Sequence, residues 1–237
     1  MINKKIIKGV LIAIGISLGV ANQSNAQMPK LLSTSGNRPI MIRPGEYPNK
    51  PGKRLLLDKK EEGFNVPVRY DTSYHIQEHD INEKIAKALY KYLEENYIDV
   101  HYQDTYSKWG DLNSAGKKFN ILNPLAYISI HTNAHKEDST GYFFITNEGD
   151  KLSEQYANNF NEVLKDNPVS IPSQPNRIND GYIGELNTSR ATIKILGEFG
   201  YALTNKEECK KVTSDEYINY IAQNMGSEII KMVNNIN

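Results

Sequence analysis

An excess of charge of either sign is absent from this sequence of 237 residues, and cysteine is nearly absent. Basic and acidic residues number 28 each, a balance that gives no indication of binding to nucleic acid or of recruitment to an anionic membrane. Cys209 is the only cysteine, so the chain cannot form an internal disulfide, although an oxidising compartment would permit one. The sequence also shows no internal repeat and no second module.

Long hydrophobic runs are confined to the N-terminus. Three lysines among the first eight residues precede an apolar stretch over residues 9–21, and Ser24-Asn25-Ala26 then supplies a small-x-small pattern. This order is typical of a signal peptide that is cleaved after Ala26. The absence of a cysteine at that point excludes a lipoprotein signal. The apolar stretch is short and interrupted for a membrane span, and an uncleaved anchor is the alternative.

We therefore expect a signal peptide over residues 1–26, a polar linker over 27–38 and one domain over 39–237. The mature chain of about 210 residues fits a single domain that needs no covalent staple. It would be exported to the periplasm or cell envelope, or secreted, with no membrane span after cleavage.

Strand-like and helix-like patterns alternate along the domain, which predicts an α/β sheet covered on both faces. Residues 58–77 are predicted to form a long loop with a hairpin around 66–70. Asp80 is predicted to cap the first long helix, with Glu83 completing a capping box. Strands are predicted at residues 39–42, 54–57, 99–103, 125–130, 141–146 and 192–196, and helices at 81–95, 112–122, 153–164 and 216–233.

In such folds, functional residues concentrate at strand ends and in the adjoining loops. Four polar side chains are expected at such positions. Glu46 follows the first strand, Glu78 precedes the first long helix, His131 ends a buried strand, and Glu198 ends a late strand. One histidine and three carboxylates can hold a zinc ion and leave one carboxylate as a base. Spacing alone does not make this specific, because isolated acids are mostly solvated.

Three segments around these residues carry more specific patterns. Glu78 lies in QEHDINEKIAKALYKYLEE (residues 77–95), His131 in ISIHTNAH (128–135) and Glu198 in ILGEFGYALTNKEE (195–208). In this order and spacing they resemble the motifs of the zinc-dependent N-acetylmuramoyl-L-alanine amidases of the Amidase_3 family. The resemblance covers residues 39–233.

The resemblance implies a single domain with a mixed, mainly parallel sheet, helices on both faces and a zinc site at one edge. It assigns Glu78 and His131 as ligands of one divalent ion and Glu198 as the catalytic glutamate. The implied reaction is hydrolysis of the amide that joins N-acetylmuramic acid to the L-alanine of the peptide stem. The implied partner is peptidoglycan, and the need for an activator protein stays open.

The remaining ligand position departs from the family. The family has Asp-Pro-Gly-His after its first strand, whereas this chain has Arg43-Pro44-Gly45-Glu46. An alternative alignment with residues 57–61 keeps the aspartate but loses the Pro-Gly turn that would direct the next side chain. We rank Glu46 first as the third ligand, His75 second and a vacant position third.

A ligand set of two glutamates and one histidine would have chemical consequences. It brings two negative charges where the family pattern brings one, so the metal-bound water should be less acidic and activity should need a higher pH. Harder oxygen ligands would also let manganese compete with zinc. Because the third ligand position departs from the family, two other classes of protein remain open. One is a non-catalytic peptidoglycan-binding or regulatory protein, and the other is a zinc peptidase that acts on cell-wall peptides.

Overall fold

The computed structural model describes residues 38–46, 53–103, 116–117, 119–136 and 138–236. The predicted signal peptide and residues 27–37 of the predicted linker lie outside this part of the chain, so both stay predictions. The described residues all belong to one compact unit. No helix in these ranges is long and apolar enough to cross a membrane.

Two sheets contain the strands of the described chain. The strands are β1 (Ile40–Pro44), β2 (Arg54–Leu57), β3 (Arg69–Tyr70), β4 (Tyr74–Gln77), β5 (Val100–Tyr102), β6 (Ala126–His131), β7 (Phe143–Asn147), β8 (Arg177–Asn179) and β9 (Ile193–Glu198). The larger sheet has the strand order β5-β1-β6-β9-β7-β8, and all its neighbours are parallel except β7 and β9. The smaller sheet is antiparallel, with the order β2-β4-β3. The predicted mixed, mainly parallel sheet is therefore confirmed.

Helices cover the two faces of the larger sheet unequally. The long helices α1 (Glu78–Glu95), α2 (Lys151–Leu164) and α5 (Asp215–Ile236) pack together on one face. Ile40 and Ile42 of β1 point into that core, whereas Met41 points into a smaller core on the other face with Leu186. Leu186 lies on the short helix α3 (Gly184–Thr188). The predicted α/β class with helices on both faces is confirmed. The described chain also contains helix α4 (Lys206–Thr213) and a 3-10 helix (Asn120–Leu122).

The predicted cap of α1 is wrong. The helix begins at Glu78, and Gln77 holds the cap position without a side-chain cap hydrogen bond in the described chain. Asp80 lies inside the first turn and accepts two hydrogen bonds from the Arg69 guanidinium, at 2.8 and 2.7 Å. The local sequence pattern assigned the Asp80 carboxylate to capping the helix, but this carboxylate forms a tertiary ion pair with Arg69 instead.

The predicted loop over residues 58–77 is wrong in part. Its end forms a hairpin of β3 and β4, later than the predicted position, and β4 pairs with β2. Ile76 of β4 lies opposite Leu55 of β2 and both are buried, so this strand depends on a distant partner. Of the helix predicted over 112–122, the described residues show helical backbone at 116–117 and the 3-10 helix, and the rest lies outside the description.

Candidate metal centre

The carboxyl ends of β1, β6 and β9 form the edge of the sheet that holds the candidate site. His131 ends β6 and lies in register beside Glu198, which ends β9. On the other side of β6, the backbone N–H of Gly45 donates to the carbonyl of Ile130 at 2.6 Å, so the turn after β1 stays attached to the sheet. Glu46 follows that turn directly, and three of the four predicted residues therefore share one edge.

The turn that carries Glu46 has an unusual backbone. Glu46 has a φ of 58°, in the left-handed region that costs a non-glycine residue roughly 1–2 kcal/mol. A side chain at Gly45 would overlap the imidazole of His131, so only glycine allows the turn to approach the ring. The buried ring of His79 lies against the backbone of Glu46. These contacts hold Glu46 partly buried, where burial and the neighbouring Glu78 raise the pKa of its carboxyl.

Glu46, Glu78 and His131 form a group that can hold a metal ion. Each offers one ligand atom, and these atoms all lie within 4.8 Å of one another. A tetrahedral ion with bonds of about 2.0–2.2 Å places its ligand atoms roughly 3–4 Å apart, so small side-chain adjustments are enough. One imidazole nitrogen and two carboxylate oxygens are a donor set that suits zinc, with an open position left for water.

Glu78 is positioned from both sides of its carboxylate. It is the first residue of α1, and its Oε2 accepts a hydrogen bond from the backbone N–H of Lys53 at 3.2 Å. Its Oε1 accepts one from Asn82 at 3.4 Å. Thr132 donates to the carbonyl oxygen of the Asn82 side chain at 3.1 Å. Sequence reasoning missed Asn82 because the predicted helix began after Glu78, whereas the helix includes Glu78 and so places the two side chains, four residues apart, on one face.

His131 lies between two carboxylates. Its Nδ1 is 3.4 Å from Oε1 of Glu78, and its Nε2 is 2.9 Å from Oε1 of Glu185. Burial alone would lower the pKa of His131, but the charge and hydrogen bonds of the two carboxylates raise it well above its ordinary value. The imidazole therefore lies in a strongly anionic environment, as expected for a position that attracts a cation.

Glu185 is the functional candidate that sequence reasoning missed. It lies on α3, is 1% exposed, and pairs with the fully buried Arg43. Ser129 also donates to it at 2.8 Å and Tyr127 at 3.3 Å. Burial opposes its ionisation, but Arg43 and His131 outweigh that effect and lower its pKa to about 2. The one available signal was Arg43, because a cation at the end of a buried strand needs an anionic partner.

Glu198 differs from the other carboxylates in having a free oxygen. Its Oε2 is buried and has no hydrogen-bond partner among the described residues. Burial raises its pKa to about 7, and the charges of Glu78 and Glu185 add to that effect while those of His131 and Lys53 oppose it. A carboxyl group with a pKa near neutrality and an uncommitted oxygen can exchange a proton with a bound molecule.

Three other histidines of the chain have different environments. His75 lies on β4 with its Nδ1 3.0 Å from the carbonyl of Ser73, and it is not part of the metal-binding group of the described chain. His79 contacts the backbone of Glu46. His135 lies 3.2 Å from the hydroxyl of Ser139. The geometry thus favours Glu46 over His75 as the companion of Glu78 and His131.

Comparisons with known proteins agree with the fold and the motifs. In solved structures, the chain is similar to the amidase AmiC2 of Nostoc punctiforme, with a TM-score of 0.65, 21% identity, and coverage of 82% of this chain and 96% of that one. An N-acetylmuramoyl-L-alanine amidase from Clostridium difficile 630 gives a TM-score of 0.68 and 20% identity, covering 86% and 100% of the two chains. The CwlD amidase from Clostridioides difficile, in complex with the GerS lipoprotein, gives 0.60 and 23%, covering 85% and 100%.

The match to a family model covers more of the chain than any single motif does. A comparison with curated proteins finds no significant match. The model of the Amidase_3 family, described as N-acetylmuramoyl-L-alanine amidase, matches residues 40–231. This match spans β1 to α5 and includes Glu46, Glu78, His131 and Glu198, and it supports hydrolysis of peptidoglycan. The chain therefore belongs to the N-acetylmuramoyl-L-alanine amidase family.

Proposed function

We propose that this chain is a metal-dependent amidase that cleaves the bond between N-acetylmuramic acid and the L-alanine of the peptide stem. Glu46, Glu78 and His131 would hold one divalent ion, zinc in the first instance, and Glu198 would act as the catalytic base. The observation that carries the proposal is the meeting of three ligand atoms within 4.8 Å beside a buried carboxylate oxygen without a partner in the described chain.

The chemistry divides between the ion and the protein. A divalent ion at this position would lower the pKa of a bound water and polarise the scissile carbonyl. Glu198 accepts the proton of the attacking water at its uncommitted Oε2 and passes it to the leaving nitrogen of L-alanine. The burial that raises the pKa of Glu198 to about 7 suits both halves of this transfer, because the group must release the proton as readily as it takes it.

Glutamate in place of histidine makes this site more anionic than the family pattern. Two carboxylate ligands leave the ion a weaker Lewis acid, so we expect activity to begin at a higher pH than with two histidines. The additional oxygen ligand also favours harder ions, and manganese is the competitor to test. Glutamate is an ordinary ligand of catalytic zinc, so the substitution is compatible with turnover.

Export and peptidoglycan as the partner follow from the same proposal, since the substrate lies outside the cytoplasm. The CwlD amidase was solved in complex with the GerS lipoprotein. That complex is the reason to test this chain with envelope lipoproteins of its own source when the isolated protein cleaves slowly.

A defined muropeptide separates the three candidate classes. The mature protein, loaded with Zn²⁺ or Mn²⁺, is incubated with N-acetylmuramyl peptide and with the same peptide lacking the sugar, and products are identified by mass spectrometry. Release of an intact stem with a free L-alanine amine supports the amidase. Cleavage inside the sugar-free peptide would indicate a peptidase. Binding of peptidoglycan without metal and without cleavage would indicate a non-catalytic protein.

A further inference from the structure

The Glu185 carboxylate is the most heavily hydrogen-bonded side chain near the candidate site, and the proposed reaction gives it no role. It receives Arg43 from β1 and Tyr127, Ser129 and His131 from β6. All five side chains are buried. Four groups on two strands thus converge on one anion carried by a helix on the opposite side of the site from α1.

The contact with His131 determines which ring nitrogen faces the metal position. Nε2 points to Glu185 at 2.9 Å, and Nδ1 points to Glu78 at 3.4 Å. Gly45 lies against the ring, where any side chain would overlap it. A carboxylate that accepts the Nε2 proton leaves the Nδ1 lone pair available, and such outer partners fix the tautomer and orientation of histidine ligands.

Arg43 neutralises the negative charge of Glu185 within the buried site. A guanidinium that is 0% exposed would be costly without an anion, and Glu185 supplies that anion. Arg43 also replaces the aspartate of the family's Asp-Pro-Gly-His element, in the same turn where Glu46 replaces the histidine. The pair therefore adds no net charge to a site that already contains three other carboxylates, while Glu185 still hydrogen-bonds His131.

We propose that Glu185, held by Arg43, is a positioning residue that fixes His131 with Nδ1 directed at the metal position. This inference rests on the proposed function, because it needs His131 to be a metal ligand. Loss of an outer-shell partner of a metal ligand typically lowers metal affinity about 10–100-fold, and we expect a loss of that size here.

The test compares metal affinity in wild type, Glu185→Gln, the double variant Arg43→Gln/Glu185→Gln and the control Glu228→Gln. Glu228 is also a buried carboxylate, but it hydrogen-bonds Asn159 and Lys231 between α2 and α5. Zn²⁺ affinity is measured by competition with a chelator, the Co²⁺ absorption spectrum reports ligand geometry, and thermal unfolding reports the fold. If Glu185→Gln unfolds because Arg43 has lost its anionic partner, the double variant still tests the proposal, because it removes both charges.

The expected result is an affinity about 10–100-fold weaker in both Glu185 variants, with an altered Co²⁺ spectrum, and wild-type behaviour in the control. A folded double variant with wild-type affinity and spectrum would overturn the positioning role and leave the amidase proposal intact. Wild type that binds neither Zn²⁺ nor Co²⁺ would overturn the metal site itself, and the inference with it.

Discussion

Glu46, which we propose as the third ligand, lies in an environment unlike that of a solvated loop acid. It has a φ of 58°, it follows a glycine in contact with the His131 ring, and its backbone lies against the ring of His79. Strained backbone of this kind persists only where the surrounding structure holds it, and it is concentrated at functional sites. The surrounding structure thus fixes the backbone of Glu46, as expected for a metal ligand.

Replacing Glu46 tests its role directly. Glu46→His restores the charge of the family's ligand set, so the pH at which muropeptide cleavage begins should fall relative to wild type. The matched control is His75→Ala, which should leave the pH profile and metal content unchanged. An unchanged profile in Glu46→His together with metal loss in His75→Ala would move the third ligand to His75.

Replacing Glu198 separates proton transfer from metal binding. Glu198→Gln keeps the shape of the side chain but cannot accept a proton, so cleavage should fall by about 10²–10⁴-fold while metal content stays at the wild-type level. Steady-state rates and elemental analysis on the same preparation check this. Wild-type rates in the variant would require another base.

Glu198 should also affect the pH dependence of stability in the metal-free protein. Its folded pKa of about 7 lies above the ordinary value of 4.5, so the folded state binds the extra proton between these values and wild-type stability falls as pH rises through that window. Glu198→Gln removes this contribution. Urea unfolding in the presence of EDTA should therefore show the variant gaining stability relative to wild type from pH 5 to pH 8. A constant difference across that range would contradict the assignment.

At the scale of elements, the turn after β1 and the end of β6 depend on one glycine. In Gly45→Ala the added methyl group would overlap the His131 ring, and one of the two must move. We expect a loss of about 1–3 kcal/mol in unfolding free energy and weaker metal binding. Gly181→Ala is the control, because its nearest contact would be 3.7 Å away, and it should change stability by less than about 0.5 kcal/mol. Equal effects of the two substitutions would show that the close approach is unimportant.

The elements differ in how far local sequence determined them. β6, β9 and α5 could be predicted because their apolar patterns are long and their apolar residues are buried. β4 could not be predicted, because it forms a strand by pairing with β2 and β3. The predicted Asp80 cap was wrong because Arg69 of β3 donates to the same carboxylate.

The residues of the candidate site also differ in how far the sequence could predict them. Glu46, Glu78, His131 and Glu198 follow recognisable strand or helix patterns and were all selected from the sequence. Glu185 was not, because α3 is only five residues long and has no periodic pattern of its own. Its position is determined by Arg43 and His131, which are more than 50 residues away in sequence.

At the scale of the whole molecule, export is the condition under which this site can meet its proposed substrate. Residues 1–26 carry the pattern of a cleaved signal, so the mature protein should begin near Gln27. Mass spectrometry of the protein isolated from its native envelope measures this end. A chain with Met1 intact would contradict cleavage and favour the uncleaved anchor.

We propose that Glu46, Glu78 and His131 together hold one divalent ion in this chain of the amidase family. Elemental analysis of metal per chain, for wild type and for Glu46→Ala, Glu78→Ala and His131→Ala, tests it most directly. We expect one ion per wild-type chain and substantial loss of metal in each variant, with each variant still folded. Metal content that is unchanged in both Glu78→Ala and His131→Ala would contradict it.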